Sequence, residues 1–356
     1  MKIIHTSDIH LDSPLSSRLP SDKVRERRRE LISGFGRLVG EAKSLGVDAI
    51  LISGDLFDST RVSKKAMDTA LDVIEENPKI NFFYLQGNHE GDALNAHGRA
   101  LPTNLKTFGD DWTYYDLGDV IIAGRNCVKE GMFKSLDLPS HKKNIVLLHG
   151  EVREKTAYPD IIGINEAKER NIDYIALGHY HSHQSFGIDD RGVAVYSGTP
   201  EGRGFDEVGT KGYVLIDTDG RVVSYSFRPF AKRTLHIIKL DITGVGRASE
   251  ISERAKKELQ LISYWDIVRL EIVGRYNPSL FKDFDSLSAE YKDRFYYFEI
   301  KDSSRIAIDP EDYKYDKSLK GEFIRTVSAD STLDEETKEK IIACGINALM
   351  GEELFD

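Results

Sequence analysis

Five short apolar runs in this chain each break into a metal-type ligand, and that repetition narrows the folds open to it more than any other feature. The central run is Ala49-Ile50-Leu51-Ile52-Ser53, followed by Gly54-Asp55-Leu56-Phe57-Asp58. An apolar run bounded by a turn signal reads as a buried strand of the parallel kind. Gly54 allows a sharp turn without a Cβ penalty. Asp55 is thereby delivered to the carboxyl edge of a sheet, where open α/β sheets place their ligands. Four stretches repeat the design: Ile3-Ile4-His5-Thr6-Ser7-Asp8-Ile9-His10, Phe83-Tyr84-Leu85-Gln86-Gly87-Asn88-His89, Ile145-Val146-Leu147-Leu148-His149 and Ile175-Ala176-Leu177-Gly178-His179-Tyr180-His181.

Helical spacing separates the first three runs. Val24, Leu31, Ile32, Phe35, Leu38, Val39, Ala42 and Leu45 predict an amphipathic helix within Ser21 to Leu45, stopped by Gly46. A second helix is predicted from Ser63 to Glu76, ended by Asn77-Pro78. This β-α-β-α-β alternation predicts a mainly parallel sheet with right-handed crossovers. After residue 110 short strands dominate, which predicts a second sheet packed face to face on the first, with helices outside both. The expected organisation is an α/β sandwich over 1–232, a linker at Phe230 to Thr234, and a small C-terminal α+β domain over 235–305. A charged, partly helical tail over 306–356 completes it, with an amphipathic helix at Asp334 to Leu349.

The 356 residues suit about two domains, and a 40% hydrophobic fraction excludes a largely disordered chain. No apolar run approaches the roughly 20 residues of a membrane span. The first strand begins at Lys2, which leaves no room for a signal peptide. Cys127 and Cys344 have no metal or redox spacing, so a cytoplasmic protein with reduced thiols is expected. A net charge of −10 argues against holding nucleic acid by bulk electrostatics alone. The basic run Arg25-Glu26-Arg27-Arg28-Arg29 reads either as a solvated helix face or as a phosphate-backbone contact.

Seven candidate ligands sit on the five strand ends: Asp8, His10, Asp55, Asn88, His149, His179 and His181. Imidazole and carboxylate without thiolate suit manganese, iron or zinc. Seven donors exceed one ion; with Asp55 as a bridge they fit two ions about 3.5–4 Å apart. Asp8, His10 and His181 are assigned to one ion, and Asn88, His149 and His179 to the other. Two cations can hold a hydroxide, grip a phosphate and neutralise charge as it builds. His89, beside Asn88 but outside the ligand set, is assigned as the general acid. His5 reads as structural, His97 and His141 as loop residues, His183 either as a structural residue or as a support for the ligands, and His236 as unrelated. Arg203 lies in a glycine-rich loop and reads either as a bidentate phosphate ligand or as part of a surface hairpin.

Asp8-x-His10, Gly54-Asp55-x-x-Asp58, Gly87-Asn88-His89-Glu90, His149 and Gly178-His179-x-His181 resemble the calcineurin-like metallophosphoesterase signature, over roughly residues 1–230. More narrowly, His5-Thr6-Ser7-Asp8-Ile9-His10-Leu11-Asp12-Ser13-Pro14 and Gly198-Thr199-Pro200-Glu201-Gly202-Arg203-Gly204-Phe205 resemble the SbcD-type DNA repair exonucleases. The resemblance implies a four-layer α-β-β-α catalytic domain, two manganese ions and 3′-directed phosphodiester cleavage. It also implies a capping domain over a DNA cleft, homodimerisation and an SbcC-type ATPase partner. Two positions depart from it. Glu90 stands where the family commonly has aspartate, and would orient His89 from one carbon further away. Asp58 stands where some relatives carry a catalytic histidine, and is expected to support the ligands instead.

The expected function is therefore a manganese-dependent DNA exonuclease or endonuclease acting in repair, with no membrane association. Two alternatives remain: a phosphodiesterase of small nucleotide substrates, and a DNA-end-binding adaptor of an SbcC-type ATPase.

Overall fold

Strand β1 (Lys2–Thr6) lies inside a six-stranded sheet and carries the first candidate ligands at its carboxyl end. The computed structural model describes all residues except 16–18, 92, 97, 156–160, 278–279, 281, 309 and 351–356. His97 therefore lies outside the described residues. The chain divides into two units, Met1–Leu235 and His236–Asp356.

In the first unit, β1 is followed by α1 (Ser21–Leu45), β2 (Ala49–Ser53), α2 (Lys64–Glu75), β3 (Asn81–Leu85), a short α3 (Ala93–Ala96) and β4 (Leu105–Thr107). The strands β5 (Thr113–Asp116), β6 (Val120–Gly124), β7 (Lys143–His149), β8 (Glu151–Arg153), β9 (Ile161–Gly163) and β10 (Tyr174–Gly178) come next. They are followed by β11 (Gln184–Gly187), β12 (Val193–Tyr196), β13 (Gly212–Asp217) and β14 (Ser224–Pro229). One sheet has the order β14-β13-β1-β2-β3-β4, and the other β11-β12-β10-β7-β6-β5. The neighbours of β2 and β7 run parallel to them, as the apolar runs predict. β13 is different: it pairs antiparallel with β1, Ile4 opposite Leu215, and closes that flank with residues far along the chain.

Helix α1 spans the predicted residues. Gly46 ends it in the left-handed region at φ 64°, donating its N–H to the carbonyls of Ala42 and Lys43. Leu31, Phe35, Leu38, Val39 and Ala42 form the buried stripe; from Phe35 on it packs with Met67, Ala70, Leu71 and Ile74 of α2 against Ile50, Ile52 and Phe82. Between the sheets, Ile3, Leu51 and Phe83 meet Ile122, Ile145, Leu147 and Ala176. Each of the isoleucine, leucine and phenylalanine side chains among them contributes about 1.5–3 kcal/mol by leaving water. The result is the expected α/β sandwich. Its fourth layer is thinner than helices: 3-10 turns at Met132–Ser135 and Ile164–Ala167 cover Val146, Leu148, Ile175 and Leu177. Gly131, at φ 71°, and Pro139 break the connection from β6 to β7 before a longer helix can form.

The segment expected as a free linker is anchored. Buried Arg233 donates to Glu30 of α1, Nη2 to Oε1 at 2.7 Å, and the Lys232 N–H donates to Glu201 at 3.0 Å. The basic run of α1 is split by the same cluster. Arg27 turns inward onto Glu30 and Glu201, while Arg25, Arg28 and Arg29 stay exposed.

The second unit contains β15 (Leu235–Asp241), α4 (Ala248–Leu259), β16 (Ile267–Val273), β17 (Arg275–Tyr276), α5 (Phe284–Tyr291), β18 (Tyr297–Asp302) and β19 (Arg305–Ile306), then α6 (Leu319–Ala329) and α7 (Glu335–Met350). Ile324 of α6 and Ile342 and Ile346 of α7 share one core with Val268, Leu270, Leu287 and Tyr291. The boundary expected between 305 and 306 thus has no counterpart in the packing. A helix face as apolar as that of Ile342 and Ile346 needs a surface to cover it, and the three-stranded sheet of the unit is available. Among the described residues no helix is long and apolar enough to cross a membrane.

Candidate metal centre

The carboxyl ends of β1, β2, β3, β7 and β10 carry all seven candidate ligands. The backbone there is unusual: Asp8, His10, Asp55 and His179 have φ of 51°, 49°, 53° and 110°. Non-glycine residues in this region cost energy and persist only where the surroundings impose them, which is characteristic of functional sites. Here main-chain bonds impose them. The Asp8 N–H donates to Gly54 O and the His10 N–H to Asp55 O, each at 3.0 Å.

Glycines make room for the convergence. A Cβ on Gly54 would stand 2.2 Å from His149 Nδ1, one on Gly87 would stand 2.0 Å from Asp55 Oδ1, and one on Gly178 would stand 1.9 Å from Ser53 O. Within that space Asp8, His10 and His181 bring one donor atom each within 4.8 Å of one another, and so do Asp8, Asp55 and His149. His10 Nε2 faces His181 Nε2 at 3.3 Å. His149 Nε2 faces Asn88 Oδ1 at 2.9 Å and Asp55 Oδ2 at 3.4 Å. The His179 ring lies 5.6 Å from that of His149, and the main-chain N–H of His179 donates to both carboxylate oxygens of Asp8 at 3.0 and 3.1 Å.

These contacts fit cations. Buried carboxylates, an amide oxygen and imidazole nitrogens point at one another, and lone pairs facing lone pairs need positive charge between them. His149 donates Nδ1–H to the Ser53 carbonyl at 2.9 Å, which leaves Nε2 as its ligating atom. Burial would lower the pKa of His149, yet Asp55 and Asp8 raise it to about 9. Burial would likewise raise Asp55, while His149 and His10 hold it at about 2. His179 is lowered by burial and by the charge of His149. Mixed imidazole, carboxylate and amide donors without thiolate suit a borderline first-row divalent ion.

Around the ligands the structure departs from expectation at two residues, Glu90 and Arg203. Glu90 does not reach His89. It is fully buried, and its oxygens accept the main-chain N–H groups of Phe57 at 2.7 Å and Gly87 at 3.0 Å. It ties the Asp55 loop to the Asn88 loop, and burial raises its pKa to about 7. The extra methylene relative to aspartate gives the reach for both amides. Arg203 is engaged by two carboxylates. Only 15% of its side chain is exposed; Nη1 donates to Asp58 at 2.8 Å and Nη2 to Glu207 at 2.6 Å. Asp58 places Oδ1 3.0 Å from His10 Nδ1, at ion-pair distance though not aligned for a hydrogen bond.

His89 stays half exposed, its Nε2 4.0 Å from Asp55 Oδ2 and its ring 5.2 Å from that of His10. It is beside the convergence without being part of it. His183 turns away, with Nδ1 3.0 Å from Tyr196 O and its ring stacked on Phe227. His5 is buried against Tyr174, His141 is an exposed turn residue, and His236 pairs with Asp266 in the second unit.

Sequence reasoning missed Glu207. Its Oε1 accepts Nδ1–H of His181 at 2.7 Å. One further glutamate in a loop rich in charge and glycine carries no periodic or spacing signal.

The family model described as calcineurin-like phosphoesterase matches residues 1–183. The chain is 27% identical over 250 residues to the uncharacterized metallophosphoesterase YhaO of Bacillus subtilis, covering 64% of this chain and 60% of that protein. It is 28% identical over 243 residues to the DNA double-strand break repair protein Mre11 of Sulfurisphaera tokodaii, covering 62% of this chain and 60% of that protein. Among solved structures, a dimetal phosphatase from Danio rerio aligns with a TM-score of 0.41 at 12% identity, over 64% of this chain and 96% of that one.

Proposed function

The chain belongs to the calcineurin-like phosphoesterase family, a family of metal-dependent phosphoesterases, and from that premise we propose that it is a two-metal phosphodiesterase that cleaves DNA during repair. The observation that carries the proposal is the meeting of Asp8, His10 and His181 in one group and of Asp8, Asp55 and His149 in a second that shares Asp8, with Asn88 and His179 beside His149. The DNA substrate is supported by relatives named for double-strand break repair, which align well past the residues of the family model.

Two divalent ions would be held by Asp8, His10 and His181 on one side and by Asn88, His149 and His179 on the other, with Asp55 between. When bound, such a pair polarises a phosphoryl group and acidifies water, and manganese, iron and zinc all suit the donors. The chain's own residues do the rest. Ser53 O and Glu207 hold the Nδ1 protons of His149 and His181, so each presents Nε2. Asp8 is pinned by the His179 N–H. His89, half exposed beside Asp55, is placed to give a proton to a leaving oxygen. The same reading takes a second copy of the chain and an SbcC-type ATPase as partners.

A second reading is a phosphodiesterase of small nucleotides. The net charge of −10 favours it, as does the engagement of Arg203 by two carboxylates. Labelled single- and double-stranded DNA, a cyclic nucleotide and bis-p-nitrophenyl phosphate, each with Mn2+, separate the two. Cleavage of DNA that Asp55→Ala abolishes supports the first; turnover of the small substrates with DNA inert supports the second.

A further inference from the structure

Two imidazoles of the cluster are braced from behind by carboxylates, and one arginine links the braces. His181 Nδ1 is 2.7 Å from Glu207 Oε1, and His10 Nδ1 is 3.0 Å from Asp58 Oδ1. Arg203 spans them, with Nη1 2.8 Å from Asp58 Oδ1 and Nη2 2.6 Å from Glu207 Oε1. Nε of Arg203 also donates to Glu207 Oε1 at 3.0 Å, and its main-chain N–H to Oε2 at 2.7 Å. Glu207 is 3% exposed, so water does not compete for these bonds. In front of the braces, His10 Nε2 and His181 Nε2 face each other at 3.3 Å.

A carboxylate accepts and cannot donate. Nδ1 of His181 must therefore carry a proton. Arg203 Nη2 lies 3.2 Å from the same nitrogen, but two donors do not pair, so both serve the carboxylate between them. We infer that Glu207, held in place by Arg203, is a positioning residue that fixes His181 as its Nδ1–H tautomer and so commits Nε2 to the cation shared with Asp8 and His10. The inference rests on the two-metal reading above and adds an outer residue to it. A carboxylate behind a ligating imidazole orients the ring and makes the ligating nitrogen more basic, and removing such a partner costs about 10–100-fold in metal affinity. Glu207 also accepts the Arg203 N–H within its own loop, so a purely structural role in shaping residues 203–207 is the competing explanation.

The two are separated by titrating Mn2+ into the full chain by calorimetry, for wild type, Glu207→Ala and Glu207→Gln, with circular dichroism as the check on folding. Wild type is expected to take up two ions. Glu207→Ala is expected to weaken one of the two sites about 10–100-fold and leave the other unchanged. Glu207→Gln, whose amide oxygen still accepts Nδ1–H but carries no charge, is expected to fall between. Nitrogen-15 spectra of the Zn2+-loaded protein add a second readout, in which the Nδ1–H signal of His181 persists in wild type and Gln and is lost to exchange in Ala. Equal weakening of both sites, or variant affinities equal to wild type, overturns the role of Glu207 while the two-metal reading stands. A wild type that binds fewer than two ions removes that reading and the inference with it. Where the Ala variant does not fold, the Gln variant decides: one weakened site supports the assignment, and wild-type affinity at both overturns it.

Discussion

Gly178 packs against the main-chain carbonyl of Ser53 so closely that a Cβ on Gly178 would stand 1.9 Å from that oxygen. The same oxygen accepts Nδ1–H of His149. Gly178→Ala therefore pushes on a backbone group that also aims a ligand. Overpacking of this kind costs about 1–3 kcal/mol. The variant is expected to melt lower than wild type and to lose most of the rise in melting temperature that Mn2+ gives wild type. An unchanged Mn2+-induced rise would show that His149 does not depend on this carbonyl.

Glu90→Gln probes the link between the two ligand loops. A glutamine offers one acceptor where the carboxylate offers two, so either the Phe57 or the Gly87 N–H is left facing an NH2 group. A buried donor left unpaired costs about 1–3 kcal/mol, to be read from urea unfolding. Turnover is expected to fall by a similar factor on good and poor leaving groups, because Glu90 touches main chain and not His89. A selective loss on poor leaving groups would restore Glu90 to the proton-transfer path.

His89→Gln is expected to behave oppositely. The side chain lies outside the ligand cluster, so Mn2+ stoichiometry should stay at two. Turnover of alkyl phosphodiesters should drop about 10²–10⁴-fold, with a much smaller loss on activated aryl esters. Equal losses on both substrate types would remove the assignment of His89 as the acid.

Buried His5 makes stability depend on pH. Burial lowers its pKa from 6.5 to about 3. The unfolded chain takes up a proton near pH 6.5, whereas the folded chain resists until about 3. The contribution of the neutral imidazole is therefore complete above pH 6.5 and lost as pH falls towards 3. One such proton gives a slope of at most about 1.4 kcal/mol per pH unit. Urea unfolding between pH 7.5 and 4 should show this slope in wild type, and His5→Gln should flatten it. An equal slope in both would assign the dependence to other groups.

The ligand-bearing strand ends could be read from the letters because their signal is local: an apolar run and then a donor, with a glycine between them at Gly54, Gly87 and Gly178. Helix α1 was legible for the same reason, down to the Gly46 stop. What could not be read depends on chain segments that meet only after folding. Arg203 and Asp58 are 145 residues apart, and their pairing is what turns a candidate phosphate contact into a brace. Glu207 gains its meaning only from the position of His181. The tail helices looked separate because their charged faces dominate the composition, although Ile324, Ile342 and Ile346 had to be covered by something. The fourth layer was overestimated because covering a sheet needs apolar side chains, which turns can supply as well as helices.

The antiparallel pairing of β1 with β13 sets an order of events during synthesis. A nascent chain that has emerged as far as His181 already owns every candidate ligand. It still lacks Glu207, and the flank of β1 that Gly212–Asp217 will occupy is unpaired. An unpaired strand edge beside half-braced imidazoles is a poor receptacle and an invitation to association with other chains. A chain ending at His181 is accordingly expected to bind Mn2+ more weakly than one that continues through Asp217, although both carry every candidate ligand.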